Sequence, residues 1–274
     1  LAKWVRRMRA DEVIVTSGIM SKSEIRRIAD LCGAINLPVR IIPGVNEWLD
    51  GSAKIQRIRD IDIADLLGRS ETDLNDETVA GFFRGKTVWV TGGGGSIGAE
   101  LVRQVARTLP EQLVILERSE FALYEIDREL RGLYPNLKIT PVLCDAGDAA
   151  RVRKLFADFP SSVILHAAAC KHVPMVELNP GEAVRNNILV TRMLAEAAAD
   201  AGVETFLLVS TDKAVNPVSV MGATKRLAEL CVRDLQGRGR TKFCAVRFGN
   251  VLGSSGSVIP LFKEQIAAGG PVTV

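Results

Sequence analysis

The stretch Thr87-Val-Trp-Val-Thr-Gly-Gly-Gly-Gly-Ser-Ile-Gly98 predicts how most of the chain folds. Its first four residues are β-branched or aromatic, which is typical of a buried strand. Glycines follow, and apolar residues then recur at helical spacing up to Leu109. A strand, a glycine-rich turn and a helix in this order form the first half of a dinucleotide-binding βαβ unit. Because glycine lets the backbone approach a pyrophosphate closely, the expected contacts are Gly92, Gly95, Ser96, Ile97 and Gly98.

An acidic residue stands where such a unit needs one. Glu117 ends the next apolar run, nineteen residues after Gly98, and the expected spacing is about 20. Its carboxylate would accept hydrogen bonds from the adenosine ribose hydroxyls; the alternative is a solvated carboxylate at a strand end. Arg118 beside it would instead suit a 2′-phosphate. NAD is therefore the favoured cofactor, and NADP remains an alternative.

The composition is that of an ordinary globular protein and argues against several classes. Of 274 residues, 47% are hydrophobic and 24% are charged, and the net charge is +3. No dense run of Lys and Arg alternates with aromatic residues, so we expect no nucleic-acid partner. The five cysteines are scattered without CxxC spacing and there are only two histidines, which predicts reduced thiols and no metal site. No run of apolar residues is long enough to predict a membrane span.

Three segments are predicted along the chain. Residues 1–50 read as a partial Rossmann-like α/β domain without a glycine loop of its own. Residues 51–85 read as a charged connector, with one packing segment at 61–67. Residues 86–274 form the dinucleotide-binding domain. Both ends of the chain read as cuts through a longer protein.

The partial domain at 1–50 shows a short α/β pattern. Apolar runs at 12–16 and 39–42 predict two strands. Between them, Ser21 and Glu24 have the spacing of a capping box, which predicts that a helix begins there and ends near Gly33.

The large segment alternates strand and helix patterns, which predicts a parallel, doubly wound sheet with helices on both faces. Ligands of such sheets bind beyond the carboxyl ends of the strands. The predicted strands are 87–91, 112–117, 138–143, 162–166, 204–210 and 242–247, and the predicted helices are 97–108, 120–132, 149–158, 182–201 and 222–235.

Polar and small residues follow the third and fourth strands. Asp145, followed by Ala146, has two interpretations: it accepts from an adenine amino group, or it caps the helix that begins near residue 149. The side chains of Ala167, Ala168 and Ala169 are small enough for a cofactor to lie against the backbone, although they would also suit simple packing.

Two further polar residues stand near the predicted cleft. Lys171 provides a cation in the loop after the fourth strand, and the alternative is a solvated lysine. Asn187 lies in an otherwise apolar helix of the kind that crosses beneath a cofactor, and we predict a buried polar role for it.

The fifth strand ends in the most informative stretch of the sequence. Thr211-Asp-Lys213 follows Ser210 directly, and Met221 and Lys225 come shortly after it. Residues four apart lie on one face of a helix, and short-chain dehydrogenases place a tyrosine and a lysine at this spacing.

With these motifs the chain resembles the extended short-chain dehydrogenase/reductase superfamily. More narrowly, it is similar to the large, membrane-anchored bacterial nucleotide-sugar 4,6-dehydratases of polysaccharide biosynthesis. The resemblance implies a Rossmann fold, bound NAD and a UDP-N-acetylhexosamine substrate such as UDP-N-acetylglucosamine. The stretches that carry it, spread over nearly the whole chain, are 90–98, 166–174, 210–217, 221–225 and 247–257.

The resemblance also implies a reaction. In that family hydride leaves C4 of the hexose, the ketone acidifies the C5 proton, water leaves from C6, and hydride returns to C6. Asp212 and Lys213 resemble the family's acid and base, and a lysine desolvated beside the cofactor would lose its proton near neutral pH. Thr211 or Ser210 would donate to the C4 oxygen, with Ser210 also near the cofactor. Lys225 would hold the nicotinamide ribose.

Met221 occupies the position of the superfamily's tyrosine. A thioether cannot act as an acid or a base, and the larger members of this branch resemble the chain in having methionine there. The resemblance places the diphosphate of the nucleotide sugar at Asn250, with hydroxyl donors from Ser254 and Ser257 and a cation from Lys171 nearby. The alternative for the glycine-rich stretch around Asn250 is an ordinary loop.

The resemblance further implies membrane helices ahead of this region and more of the sugar-nucleotide domain after it. We therefore expect a homo-oligomeric cytoplasmic domain, anchored at the inner membrane only through a segment absent from this chain. Two other functions are weighed against the dehydratase. A C4 epimerase normally keeps the tyrosine that Met221 replaces. A non-catalytic NAD-binding module has no need of proton-transfer groups such as Asp212 and Lys213.

Overall fold

The computed structural model describes residues 2–16, 20–42, 59–60, 77–251 and 258–273. The chain divides into two compact units, Leu1–Asp73 and Leu74–Val274. The division falls within the segment predicted as a connector; its packing segment at 61–67 lies outside the described residues. In the part of the chain that the structure describes, no helix is both long and apolar enough to cross a bilayer.

The first unit contains a small three-stranded sheet. Strands β1 and β2 pair in parallel and β3 pairs antiparallel with β2. The predicted capping box is confirmed, because Ser21 N–H donates to Glu24 Oε2 at 2.8 Å and Glu24 N–H donates to Ser21 Oγ at 3.4 Å. The elements are α1 (Ala2–Met8), β1 (Val13–Thr16), α2 (Lys22–Gly33), β2 (Val39–Ile42) and β3 (Arg59–Asp60).

The second unit contains a six-stranded, wholly parallel sheet, as predicted. Its strands are β4 (Thr87–Thr91), β5 (Gln112–Glu117), β6 (Ile139–Leu143), β7 (Val163–His166), β8 (Thr205–Val209) and β9 (Lys242–Val246). Their order across the sheet is β6-β5-β4-β7-β8-β9.

Helices precede, connect and follow these strands. They are α3 (Glu77–Phe83), α4 (Ser96–Arg107), α5 (Glu120–Leu133), α6 (Ala149–Asp158), α7 (Val173–Leu178), α8 (Pro180–Ala183), α9 (Val190–Asp200), α10 (Val220–Asp234) and α11 (Val258–Ala267). The helix predicted at 182–201 is not regular, because a π-helical stretch, Val184–Leu189, lies between α8 and α9.

The core lies on both faces of the sheet. Along β4 successive side chains point to opposite faces. Trp89 is fully buried on one face, where it stacks on Phe156 of α6 with ring centroids 4.5 Å apart. Val88 and Val90 are buried among different residues, in a cluster that includes Leu123 of α5. Burial on both faces explains why these strands are continuous apolar runs rather than alternating ones.

The strand order reverses at β4, which pairs with β5 on one side and β7 on the other. A reversal of this kind opens a crevice at the carboxyl ends of the strands, because the connecting helices leave in opposite directions. The loops that follow β4, β7, β8 and β9 all lie at that end of the sheet.

Candidate active site

The glycine loop is packed so closely that side chains would not fit. Gly92 has φ +67°, and a Cβ there would lie 2.7 Å from Cα and N of Ala168. A Cβ on Gly98 would overlap the carbonyl oxygen of Gly92. The loop after β4 therefore lies directly against the alanine segment after β7, and the contact of a cofactor with Ala168 stays a prediction.

The loop requires glycine at two positions that the spacing argument passed over. A Cβ on Gly93 would overlap the side chain of Ile115, and a Cβ on Gly94 would lie 2.5 Å from Cβ of Ala122. Gly95 is less constrained, with 3.3 Å to the Gly92 oxygen. It is the N-cap of α4 and supplies no side-chain cap.

The N-terminus of α4 is suited to an anion. The first N–H groups of an α-helix point out of its N-terminus, and in α4 that end is formed by Ser96, Ile97 and Gly98. The helix dipole adds positive potential at the same end. The half-buried Ser96 and Ile97 and the buried Gly98 thus form the part of the site that a pyrophosphate would contact.

Glu117 is more than a solvated carboxylate. Oε2 accepts from Gly94 N–H at 3.0 Å, and Oε1 accepts from the N–H groups of Arg118 and Ser119, each at 2.9 Å. The carboxylate therefore fastens the glycine loop to the start of α5. A carboxylate has about four acceptor positions, and three are used here, so one remains on Glu117 for a ribose hydroxyl.

The capping interpretation of Asp145 is wrong. Asp148 caps α6, since its Oδ1 accepts from Arg151 N–H at 2.9 Å. Asp145 instead accepts from Gly147 N–H at 2.8 Å and closes a tight turn at the end of β6. Its side chain is exposed and Ala146 is half-buried, so the adenine interpretation stays a prediction for both.

A fully buried histidine, which the sequence did not single out, links the strand ends. His166 Nδ1 lies 2.6 Å from Thr91 Oγ1, and Nε2 lies 2.9 Å from Thr191 Oγ1. Thr191 donates its own proton to the Asn187 carbonyl at 2.8 Å. Nε2 must therefore carry the ring proton and Nδ1 must accept. Burial and the charge of Lys225 lower the pKa of His166 to about 3, so the ring is neutral.

Asn187 has the buried polar role that was predicted for it. Its Oδ1 accepts from Cys170 N–H at 2.8 Å, and its Nδ2 donates to the Cys170 carbonyl at 3.0 Å. Nδ2 also donates to Thr224 Oγ1 on α10 at 3.0 Å. The π-helical stretch around Asn187 thus holds the loop after β7 and α10 together; such stretches frequently mark functional sites.

Lys225 is buried beside the end of β8. Its Nζ donates to the Val209 carbonyl at 2.7 Å, and only 5% of the residue is exposed. Burial lowers the pKa of Lys225 to about 8, and the charge of Glu229 opposes that shift. Lys225 is therefore the desolvated lysine of the site. The side chain of Lys213, for which the sequence predicted desolvation beside the cofactor, is 40% exposed.

Thr211, Asp212 and Lys213 form one cluster with Asn250. Thr211 Oγ1 donates to Asp212 Oδ1 at 3.0 Å, and Lys213 Nζ lies 3.4 Å from the same oxygen. Lys213 Nζ also donates to Asn250 Oδ1 at 2.8 Å. The hydrogen bond from Thr211, aided by the charge of Lys213, lowers the pKa of Asp212. The loops after β8 and β9 therefore meet at an exposed acid–base pair.

Ser210 is separated from that exposed pair. It is buried, and its hydroxyl donates to Glu229 Oε1 at 2.6 Å. Because a hydroxyl has one proton, Ser210 cannot donate to a substrate oxygen while this bond holds. Thr211 at the mouth of the strand is half-buried, and its hydroxyl donates to Asp212, so the donor to the C4 oxygen stays a prediction.

Met221 is buried rather than presented to the cleft. Only 4% of it is exposed, and it packs with Val176 and Ala183 and against Cys170. Its position near the segment that Asn187 holds gives it a packing role. No proton-transfer group occupies the place of the superfamily's tyrosine.

The structure brings most of the predicted residues into two connected groups. The first group consists of the glycine loop, Glu117 and Ala168. The second group consists of residues 210–213, Lys225 and Asn250. His166 and Asn187 lie between the two groups and connect them through hydrogen bonds. Ser254 and Ser257 lie outside the described residues. The remaining predicted residues, exposed or half-buried in neighbouring loops, are Arg118, Asp145, Ala146, Ala167, Ala169 and Lys171.

Solved structures show the class of protein that this fold defines. Pen from Bacillus thuringiensis is 36% identical in sequence, with a TM-score of 0.66 over 70% of this chain and 61% of that one. DesIV of Streptomyces venezuelae, a dTDP-glucose 4,6-dehydratase solved with NAD, has a TM-score of 0.58 at 23% identity over 68% of this chain and 63% of that one. The fold is that of the short-chain dehydrogenases/reductases.

Sequence comparison gives the family. Residues 88–274 match the polysaccharide biosynthesis protein family. The capsular polysaccharide biosynthesis protein CapD of Staphylococcus aureus is 42% identical over 272 residues, which is 98% of this chain and 45% of that protein. The chain belongs to this polysaccharide biosynthesis protein family, and it spans about half the length of the curated relatives it matches.

More distant relatives carry names for their activities. The inverting UDP-N-acetylglucosamine 4,6-dehydratase of Campylobacter jejuni is 34% identical over 198 residues, covering 70% of this chain and 58% of that protein. The UDP-glucose 4-epimerase of Rickettsia massiliae is 33% identical over 200 residues, covering 70% of this chain and 57% of that protein. The relatives thus include both nucleotide-sugar dehydratases and epimerases.

Proposed function

We propose that this chain is the NAD-binding part of a nucleotide-sugar 4,6-dehydratase. Its substrate is a UDP-N-acetylhexosamine, namely UDP-N-acetylglucosamine, and its product is a 4-keto-6-deoxy sugar for surface polysaccharide synthesis. One observation carries the proposal: an exposed Asp212–Lys213 pair stands at the mouth of β8, while a buried methionine takes the tyrosine's place. Elimination of water needs an acid and a base besides the hydride carrier, and this pair supplies both.

The residues present fit NAD. Positions 92, 93, 94 and 98 exclude a Cβ, the α4 N-terminus faces the crevice, and Glu117 retains one acceptor position for the ribose. Lys225 would donate to the nicotinamide ribose from beneath. When bound, NAD would supply the hydride acceptor and donor of the reaction.

The acid and base need a proton to move between them before reaction. Asp212 is ionised, since the hydrogen bond from Thr211 and the charge of Lys213 lower its pKa. A carboxylate cannot protonate the departing C6 hydroxyl, and an ammonium cannot take the C5 proton. Transfer of one proton from Lys213 Nζ to Asp212 Oδ1, 3.4 Å apart, gives the reactive state.

Single substitutions at the pair test the assignment. Asp212→Asn and Lys213→Ala are each expected to lower kcat by about 10²- to 10⁴-fold, the usual contribution of a positioned acid or base. NAD affinity, measured by calorimetry, should be unchanged. Asp158→Asn and Lys154→Ala on the exposed face of α6 are matched controls. Full turnover in both site variants would remove the proposed roles of Asp212 and Lys213.

A C4 epimerase is the second candidate, because an epimerase is among the relatives at 33% identity. The buried Met221 argues against it, since a thioether cannot exchange the C4 hydroxyl proton. A binding module without turnover is a third, and the Asp212–Lys213 pair argues against it. Analysis of the product distinguishes the three functions. A dehydratase gives a product that has lost one water, an epimerase gives a product of the same mass with a changed configuration, and a binding module gives no product.

We further propose that the chain self-associates and acts at the cytoplasmic face of the inner membrane, held there by a segment outside this chain. Leu189 and Leu227, on the adjoining π-helical stretch and α10, are 56% and 48% exposed and support a homo-oligomeric contact. Sedimentation of the chain and of a Leu227→Glu variant would decide this. An unchanged monomer in both would contradict self-association.

A further inference from the structure

A buried carboxylate joins three elements of the site. Glu229 on α10 is 8% exposed, and four hydrogen bonds reach it. Oε1 accepts from Ser210 Oγ at 2.6 Å and from Arg247 Nε at 2.8 Å. Oε2 accepts from Arg247 Nη2 at 2.6 Å and from Arg226 Nη1 at 3.1 Å. The Arg247 pair is bidentate, the geometry in which such contacts are strongest.

Two partners of Glu229, Ser210 and Arg247, stand at the start of the two loops that carry Asp212, Lys213 and Asn250. Ser210 directly follows β8 and precedes Thr211–Lys213, while Arg247 directly follows β9 and precedes 248–250. The loops also meet further along, where Asp212 N–H donates to the Phe248 carbonyl at 3.1 Å and Lys213 Nζ donates to Asn250. Glu229 thus fixes the start of both loops at one point.

We propose that Glu229 is a positioning residue for the reaction, which holds Ser210 and Arg247 so that Asp212, Lys213 and Asn250 meet in reactive geometry. In this role it acts through Ser210 and Arg247 and not by contact with the reacting atoms. The proposal rests on the function proposed above for its effect on turnover, but the positioning itself is independent of that function.

The charge of Glu229 is secured by its partners. Burial alone would raise the pKa of Glu229, but hydrogen bonds from Arg247, Ser210 and Arg226 outweigh it and bring the pKa to about 2. The carboxylate is therefore ionised at every pH at which the protein would work, and its hold on both loops does not vary with pH.

The same charge acts on the lysine one turn earlier. Lys225 faces the carboxylate of Glu229 on its own helix and the neutral His166 at the end of β7, with the cations of Arg226 and Arg247 beyond the carboxylate. Loss of the negative charge would lower the pKa of Lys225 further, while a change in loop position alone would not.

Glu229→Gln tests the proposal, with Glu196→Gln as the matched control. Glu196 forms an ion pair with Arg192 on the surface of α9 at 2.8 Å, so its substitution removes a similar contact away from the site. Amide exchange at 211–214 and 247–250 is expected to rise between about ten- and hundredfold in Glu229→Gln, since hydrogen bonds to a charged group are lost. Exchange in β4 and α4 should stay as in the parent, and Glu196→Gln should alter neither region.

Turnover and titration give the second readout. In Glu229→Gln, kcat is expected to fall by at least about tenfold with the Kd for NAD unchanged, because geometry and not binding is disturbed. The basic limb of the pH profile should move to lower pH, as should the Lys225 Cε resonance in carbon NMR. Arg247→Lys, which keeps the charge but loses the bidentate contact, should loosen the same two loops without moving that resonance.

The outcomes separate the two proposals. Unchanged exchange at 211–214 and 247–250 in both Glu229→Gln and Arg247→Lys would overturn the positioning role, whatever the turnover. Faster exchange confined to those loops would support it even if the parent chain showed no dehydration, a result that would count against the proposed function alone. If Glu229→Gln does not fold, the exchange pattern of Arg247→Lys decides.

Discussion

The buried histidine offers a quantitative test of the interior of the site. His166 is fully buried between Thr91 and Thr191, and its pKa is lowered to about 3 by burial and by the charge of Lys225. Glutamine can keep one donor and one acceptor at that place, but it does not titrate. His166→Gln therefore removes the proton equilibrium with limited change in the network.

The magnitude follows from linkage between protonation and folding. Above pH 6.5 the imidazole is neutral in both the folded and the unfolded chain and contributes no pH dependence. Between 6.5 and about 3 only the unfolded chain binds the proton, so the free energy of unfolding falls as the pH falls. At about pH 5 the loss is about 2 kcal/mol, from about 1.4 kcal/mol per pH unit below the unfolded pKa.

Urea denaturation from about pH 8 to about pH 5 measures this loss. Over that range the free energy of unfolding should fall by about 2 kcal/mol more in the parent chain than in His166→Gln. The titration of carboxylates contributes equally to both and cancels in the comparison. His172→Gln is the matched control, because His172 is the other histidine and is exposed. Parallel curves for the parent and His166→Gln would refute the burial of a neutral imidazole.

Two further predictions concern the cofactor site. Gly92→Ala should weaken NAD binding, measured by calorimetry, by at least about tenfold. The reason is that φ +67° and a contact of 2.7 Å between the new Cβ and Ala168 force the loop to move. Gly132→Ala is the control and should bind NAD normally, because nothing lies within 4 Å of a Cβ there. Glu117→Ala should weaken NAD binding and reduce the preference for NAD over NADP, since Arg118, which would suit a 2′-phosphate, remains. Equal losses of affinity for both cofactors would contradict the contact of Glu117 with the ribose. Glu120→Ala is the control.

The strands and the glycine loop were readable from the sequence for clear physical reasons. A parallel strand buried on both faces is a continuous apolar run, which describes β4, β5 and β7. All six strands of the large sheet were predicted within about one residue of their observed ends. The helix at 182–201 was predicted as continuous because its apolar residues recur at helical spacing. Its π-helical stretch depends on the contacts of Asn187 with Cys170 and Thr224, which leave no local pattern.

The parts of the site that escaped prediction depend on contacts between distant residues. His166 pairs with Thr91 and Thr191, 75 and 25 residues away, and neither partner is marked by spacing. Glu229 did offer a signal, since it lies four residues after Lys225 and so on the same helix face. Desolvation was expected at Lys213, but which lysine is buried depends on how α10 packs under β8.

The central claim is dehydration of a nucleotide sugar, and one isotope experiment tests it most directly. The chain would be incubated with NAD and UDP-N-acetylglucosamine that carries deuterium at C4, and the product analysed by mass spectrometry and NMR. We predict a product lighter by one water, with the deuterium now at C6. A product of unchanged mass with altered configuration at C4, or unaltered substrate from a chain with NAD bound, would contradict the claim.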